Sequence, residues 1–181
     1  MKKSIFYVVV LAFFVGICGT AKAQAPYTHS IGGNVGNMQA FSYKTFVTNH
    51  FAIQVDLGTK ITLGAGKNWN SEIWDFELNP NFMYEGHFTK GLYGFIGGGV
   101  ALGYNWNLWG AHYDWHGYHW GARTCDNGKF GANAIMGLEY KFNAPVTLQF
   151  DFRPGYGLLF DRNWHWSYFD WGLNLSCRYT F

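Results

Sequence analysis

The sequence predicts an all-β fold: an eight-stranded, antiparallel transmembrane β-barrel. Three observations carry that prediction. From residue 41 onward the chain breaks into stretches that alternate apolar and polar residues, the period of a strand with two unlike faces. Six of those stretches carry charges, and within each the charges keep to one phase while the other phase has none. Short and long connections between the stretches also alternate, apart from one short connection near Asn37 to Gln39. A strand with one apolar face and one charged face, repeated along a chain, is what a barrel in lipid requires.

The first predicted strand, 28–36, is blurred by Gly32, Gly33, Asn34 and Gly36, and the second, 40–47, has Lys44 as its single charge. The third, 51–61, sets Phe51, Ile53, Val55 and Leu57 against Asp56 and Lys60. The fourth, 73–86, sets Trp74, Phe76, Phe82 and Tyr84 against Asp75, Glu77 and Glu85. The fifth, 92–105, has no charge, and one of its phases is small: Gly97, Gly99, Ala101 and Gly103. The sixth, 130–142, opposes Phe130, Tyr140 and Phe142 to Glu139 and Lys141. The seventh, 146–157, opposes Val146, Leu148, Phe150, Phe152 and Tyr156 to Asp151 and Arg153. The eighth, 167–181, opposes Phe169, Trp171, Tyr179 and Phe181 to Asp170 and Arg178. Pro80 and Pro154 fall inside strands, where each removes a ladder hydrogen bond, so a bulge is expected at both.

Alternation alone does not say which face points inward, and a soluble carrier barrel has its apolar face inside. Volume decides. The lumen of eight strands is only just wide enough for its side chains. The rings of the apolar phase are too many to fit there, so they face lipid, and the small and charged phase fills the lumen.

The chain starts with Lys2 and Lys3, runs apolar from Ile5 to Val15 and then reads Ala21-Lys22-Ala23. These are the parts of a secretory signal peptide, so residues 1–23 are expected to be removed and 24–181 to form the barrel domain. A lipoprotein signal at Cys18 is disfavoured because Ile17 precedes it where a small residue is needed. Loss of Lys2, Lys3 and Lys22 leaves ten basic against eleven acidic residues, a net charge of −1. No basic surface remains to argue for nucleic acid. With eight strands, both termini lie on the periplasmic side, where such barrels have their short turns. Cys125 falls in an outer loop and Cys177 near the inner end of the last strand, so no disulfide is expected between them.

The segments Gly137-Leu138-Glu139-Tyr140-Lys141-Phe142, Pro145 to Pro154 and Arg178-Tyr179-Thr180-Phe181 resemble the small outer-membrane β-barrel family of Gram-negative bacteria, which holds OmpX-like and OmpA-transmembrane-domain-like proteins. The resemblance covers about residues 24–181. It implies residence in the bacterial outer membrane among its lipids, lipopolysaccharide included. It also implies assembly by the outer-membrane insertion machinery, for which the terminal aromatic Phe181 resembles the family's signal. No peptidoglycan-binding domain follows Phe181, so anchoring of that kind is not expected. The fold hosts scaffolds, adhesins, pores and a few enzymes, so the resemblance says little about function.

Three constellations carry candidate chemistry. The lumen phase holds seven acids (Asp56, Asp75, Glu77, Glu85, Glu139, Asp151, Asp170) and five bases (Lys44, Lys60, Lys141, Arg153, Arg178), which either pair into a plug or line a narrow path biased to cations. The loop 106–129 carries Trp106, Trp109, Tyr113, Trp115, Tyr118 and Trp120 with His112, His116 and His119. On a helical turn His112 and His116 share a face, with Asp114 as a further candidate metal ligand. Gly110 and Gly117 weaken any such helix, and the same rings suit an interfacial girdle or a surface for an external ligand. Finally, His165 and Ser167 share the lipid-facing phase and resemble part of the active site of outer-membrane lipid A deacylases, with Ser167 as nucleophile and His165 as base. A third group must orient the base; Asp170 points into the lumen, and Asp161 reaches only if the last loop folds back.

The expected function is therefore a structural or surface-interaction role, with external loops meeting the environment and a charged, plugged lumen. A narrow cation-biased channel for small solutes is the alternative, and a lipid A-modifying hydrolase stands behind both. No catalytic, cofactor-binding or metal residue is assigned, and no cofactor is expected.

Overall fold

In a computed structural model, residues 25–63, 72–105, 127–160 and 165–181 are described. They form eight strands: β1 (His29–Gly36), β2 (Met38–Phe46), β3 (Phe51–Leu63), β4 (Glu72–Thr89), β5 (Leu92–Asn105), β6 (Asn127–Lys141), β7 (Val146–Phe160) and β8 (His165–Thr180). Each pairs antiparallel with the next and β1 pairs with β8, closing the barrel. The expected leader 1–23, Cys18, Cys125, Asp161 and loop residues 106–126 lie outside the described residues.

The two phases separate as the charges foretell. Phe76, Phe82, Phe130, Tyr140, Phe142, Phe150, Tyr156, Phe169, Trp171, Tyr179 and Phe181 are all exposed on the outer wall, whereas all seven acids are 2 % exposed or less. With exposed aliphatics such as Ile31, Val35, Ile53, Leu57, Ile96 and Val100 on the other strands, these rings make the outer wall a surface for lipid, not water. Trp74 belongs to the same phase, but its side chain is outside those described. Cys177 is exposed on the outer face of β8 as a free thiol.

The inner turns are tight. Lys90 and Gly91 alone join β4 to β5, with Gly91 at φ 74°. The register shifts between His87 and Thr89 to reach that turn. In the β6–β7 turn Lys141 Nζ donates to the carbonyls of Phe142 (2.9 Å) and Ala144 (2.7 Å). Lys141 is thus a half-buried brace of the inner rim, which corrects its assignment to the charged lumen. Its stem is too near the strand end to turn its ammonium toward an acid above it.

The outer turn of β1–β2 is a single residue, Asn37, after Gly36 at φ 139°. That hairpin is shorter than its neighbours, and Asn37 joins the walls on either side. Its N–H donates to Leu173 O of β8 (3.1 Å), its carbonyl accepts from Ile61 N of β3 (3.0 Å) and its Nδ2 donates to Ile61 O (2.7 Å). Asn37→Ala removes only the last of these and is expected to cost about 1 kcal/mol in urea unfolding from micelles; an unchanged midpoint would count against the seam.

Neither proline makes a bulge. Val55 pairs with Pro80 and Trp171 with Pro154 in continuous registers. On the other side of each proline the ladder is interrupted, between the pairs Leu78↔Leu102 and Asn81↔Gly99 and between Asn133↔Gly155 and Met136↔Phe152, but the register is the same before and after. The missing N–H is absorbed as a local gap because the bonds on both sides of it hold the alignment.

Candidate functional site

The lumen is crossed by ion pairs at three heights. At the inner end Lys44 Nζ bonds Glu85 and Glu139, the latter at 2.9 Å, and Arg178 Nη2 reaches the same Glu139 oxygen at 2.7 Å. Arg178 also donates to Gln149 and to Ser42 Oγ (3.2 Å). Tyr27, just before β1, donates its hydroxyl to Glu139 at 2.7 Å. The rings of Tyr27, Phe46 and Phe95 stand 5.1–5.8 Å from the Lys44 ammonium. Two acids and two bases balance here, and the rings supply a further electrostatic contact to the lysine.

At mid-height Arg153 bridges Asp56 (2.6 Å) and Asp151 (2.6 Å). Gln54 donates to Asp56 (2.9 Å), and Gln149 (2.9 Å) and Asn174 (3.1 Å) donate to Asp151. Beside this layer, side-chain amides donate hydrogen bonds from Asn133 to Asn81 (2.6 Å), from Asn81 to Asn79 (2.5 Å) and from Asn79 to Glu77 (2.9 Å), tying β6 to β4. At the outer end Lys60 pairs with Asp170 (2.5 Å) and Glu77 (3.6 Å), and Lys129 with Asp75 (2.9 Å) and Glu77 (2.8 Å). The middle and outer groups therefore carry one surplus acid each.

Lys129 is a lumen base that sequence reasoning missed by placing it in the loop 106–129. β6 begins at Asn127, three residues earlier than expected, and Lys129 is in phase with Glu139. That shared parity was the available signal, hidden by the weak strand character of Asn127 and Gly128. The lumen keeps five bases, with Lys129 in place of Lys141.

Besides Tyr27 and Phe46, two strand rings are buried in the lumen. Phe95 packs with Ala52, Met83 and Ile135 in a buried apolar cluster near the inner end, and Tyr168 packs with Leu159 near the outer end. They fit because each crosses onto a glycine: Phe95 is the register partner of Gly137, and Tyr168 of Gly157. A ring laid over a glycine on the next strand occupies the space of the missing side chain.

Of the other candidates, Ser167 is exposed on the outer face of β8 and the His165 side chain is outside those described. Asp170 is inside, paired with Lys60, and so does not orient a base on the outer face. His112, His116, His119 and Asp114 lie outside the described residues, as does the rest of 106–126. Among the described residues no cluster of metal-ligating side chains occurs.

No family profile matches the sequence, and no curated protein matches it. Among solved structures, the N-terminal β-barrel domain of Pseudomonas aeruginosa OprF is similar, with a TM-score of 0.55 and 16 % identity over 88 % of this chain and 100 % of that one. Neisserial surface protein A aligns with a TM-score of 0.47 and 14 % identity over 84 % of this chain and 93 % of that one. With eight closed antiparallel strands, a band of outward rings and a charged interior, the chain has the fold of the small bacterial outer-membrane β-barrels.

Proposed function

We propose that this barrel serves the outer membrane as a structural and surface-interaction protein. Its lumen is a closed plug, and its outer loops meet the environment. The observation that carries the reading is the crossing of the lumen by ion pairs at three heights, with the Ala52, Met83, Phe95 and Ile135 cluster beside the innermost. Groups held this way do not leave a continuous column of water, and an ion passing through must displace paired charges at each height.

Planar-bilayer conductance of the refolded protein tests this. A silent bilayer is expected, both for the native chain and for the conservative variant Arg153→Lys. Discrete steps with cation selectivity, altered by Asp151→Asn, would overturn the plug in favour of the narrow channel. The channel is the second reading because the middle and outer groups each hold one unbalanced acid, a bias toward cations. A hydrolase at Ser167 has less support, since the one acid of β8 is turned away from it; it predicts that Ser167→Ala alters the lipid A mass spectrum of the host membrane.

A further inference from the structure

On the outer wall, Phe76 of β4, Tyr104 of β5, Gly128 of β6 and Phe160 of β7 are successive register partners. The row reads ring, ring, no side chain, ring. Leu78 and Leu102 are partners in the row beneath. These six residues line a groove of about 410 Å³. A Cβ built on Gly128 meets nothing within 4 Å, so the gap in the row is open space and not a site of close backbone approach. The other five side chains are all exposed.

Tyr104 stands twelve residues above Leu92 on β5. At about 3.3 Å per residue and a strand tilt of roughly 40°, that is about 30 Å above the inner rim. An apolar band about 25 Å tall ends just below this row. The groove thus straddles the outer boundary of the hydrocarbon, where the head-proximal methylenes of outer-leaflet lipids lie.

We propose that this groove is a binding site for one acyl chain of an outer-leaflet lipid. It is continuous with the lipid-facing wall, and its lining is hydrocarbon and ring apart from the Tyr104 hydroxyl. Lys129 also adjoins the groove, but its ammonium is turned into the lumen toward Asp75 and Glu77. Recognition is therefore of the chain and not of a phosphate. The width argues in the same direction. The gap is one side chain wide, which accepts a polymethylene chain, whereas the convex wall of a second barrel rests on the flanking rings without entering it.

The test uses the whole refolded protein in vesicles of phosphatidylcholine that carries a photoreactive diazirine on its acyl chain. After irradiation, adducts are mapped by peptide mass spectrometry. Adducts are expected to concentrate on Tyr104 and Phe160 over other outward rings such as Phe82 and Phe150, and to fall several-fold in Gly128→Leu. Gly128 has no positive φ and open space above it, so leucine there leaves the fold intact, which unchanged heat-modifiable mobility verifies. Gly128→Ala serves as a milder filling and should give an intermediate loss. Adducts spread evenly over the outer rings, or a pattern indifferent to Gly128→Leu, would overturn the proposal. So would protein–protein adducts joining these residues in two copies.

Discussion

Replacing Glu139 with leucine is expected to destabilise the barrel by about 3–5 kcal/mol, the cost of removing one member of a buried charge group. Glu139 is fully buried and accepts from three donors: Tyr27, Lys44 and Arg178. Without it Lys44 keeps Glu85, and Arg178 keeps only the uncharged Gln149 and Ser42. One cation is then uncompensated among fully buried side chains. Glu139→Gln retains an acceptor for Tyr27 and should cost less. The measurement is reversible urea unfolding from micelles, followed by tryptophan fluorescence. A cycle with Arg178→Met should return a coupling above about 1 kcal/mol, since the two groups touch. The inner group balances two acids against two bases, so replacing all four by apolar residues of similar size should cost less than Glu139→Leu alone. A single-mutant loss under about 1 kcal/mol would mean that the lumen hydrates freely, and the plug would lose its main support with it.

That experiment bears on what was legible in the sequence. Which side chains enter the lumen followed from parity, because a strand sends alternate residues to opposite faces and only one face can hold charge in lipid. All six stretches that supply the lumen charges fall in the phase that parity assigns them. Which charges meet was not legible. Lys44 with Glu85, Asp56 with Arg153 and Lys60 with Asp170 come from strands apart in sequence, and all three pairs join strands that are not neighbours in the barrel. Their heights depend on the stagger accumulated around the closed sheet, which alternation leaves open. Lys129 escaped because a strand that opens Asn-Gly carries little strand character. Lys141 is not in the lumen because parity says nothing about where a strand ends, and two residues past Glu139, in the last lumen layer, a lysine finds turn carbonyls instead of acids. The prolines were misjudged because a bulge is one remedy for a lost N–H, and an unpaired step with the register kept is another. Phe95 and Tyr168 were missed because counting rings against lumen volume ignores where glycines on the next strand make room.

Those glycines set up the other large effect. Gly137→Val is expected to cost about 3 kcal/mol, the upper end for overpacking. A Cβ at Gly137 would stand 2.0 Å from Phe150 O and 2.8 Å from Phe95 Cζ. The first contact is with strand backbone, which cannot turn aside without breaking the β6–β7 ladder. The second is with a ring that is itself wedged against Ala52, Met83 and Ile135 and stands 5.5 Å from the Lys44 ammonium. Displacing that ring therefore disturbs the apolar cluster and the inner ion group together. Phe95→Ala in the same chain relieves only the ring contact, so the double variant should recover part of the loss and not all of it. The comparison that isolates the cause is Gly128→Leu on the same strand, which adds a larger side chain toward the outer wall. The open space there predicts a change within about 0.5 kcal/mol, as for surface substitutions in general. If urea unfolding ranks the two variants equally, close approach at Gly137 is not what the residue is for. Loss of strand propensity or altered backbone freedom would have to explain both, because those effects follow the residue type and not the face on which it lies.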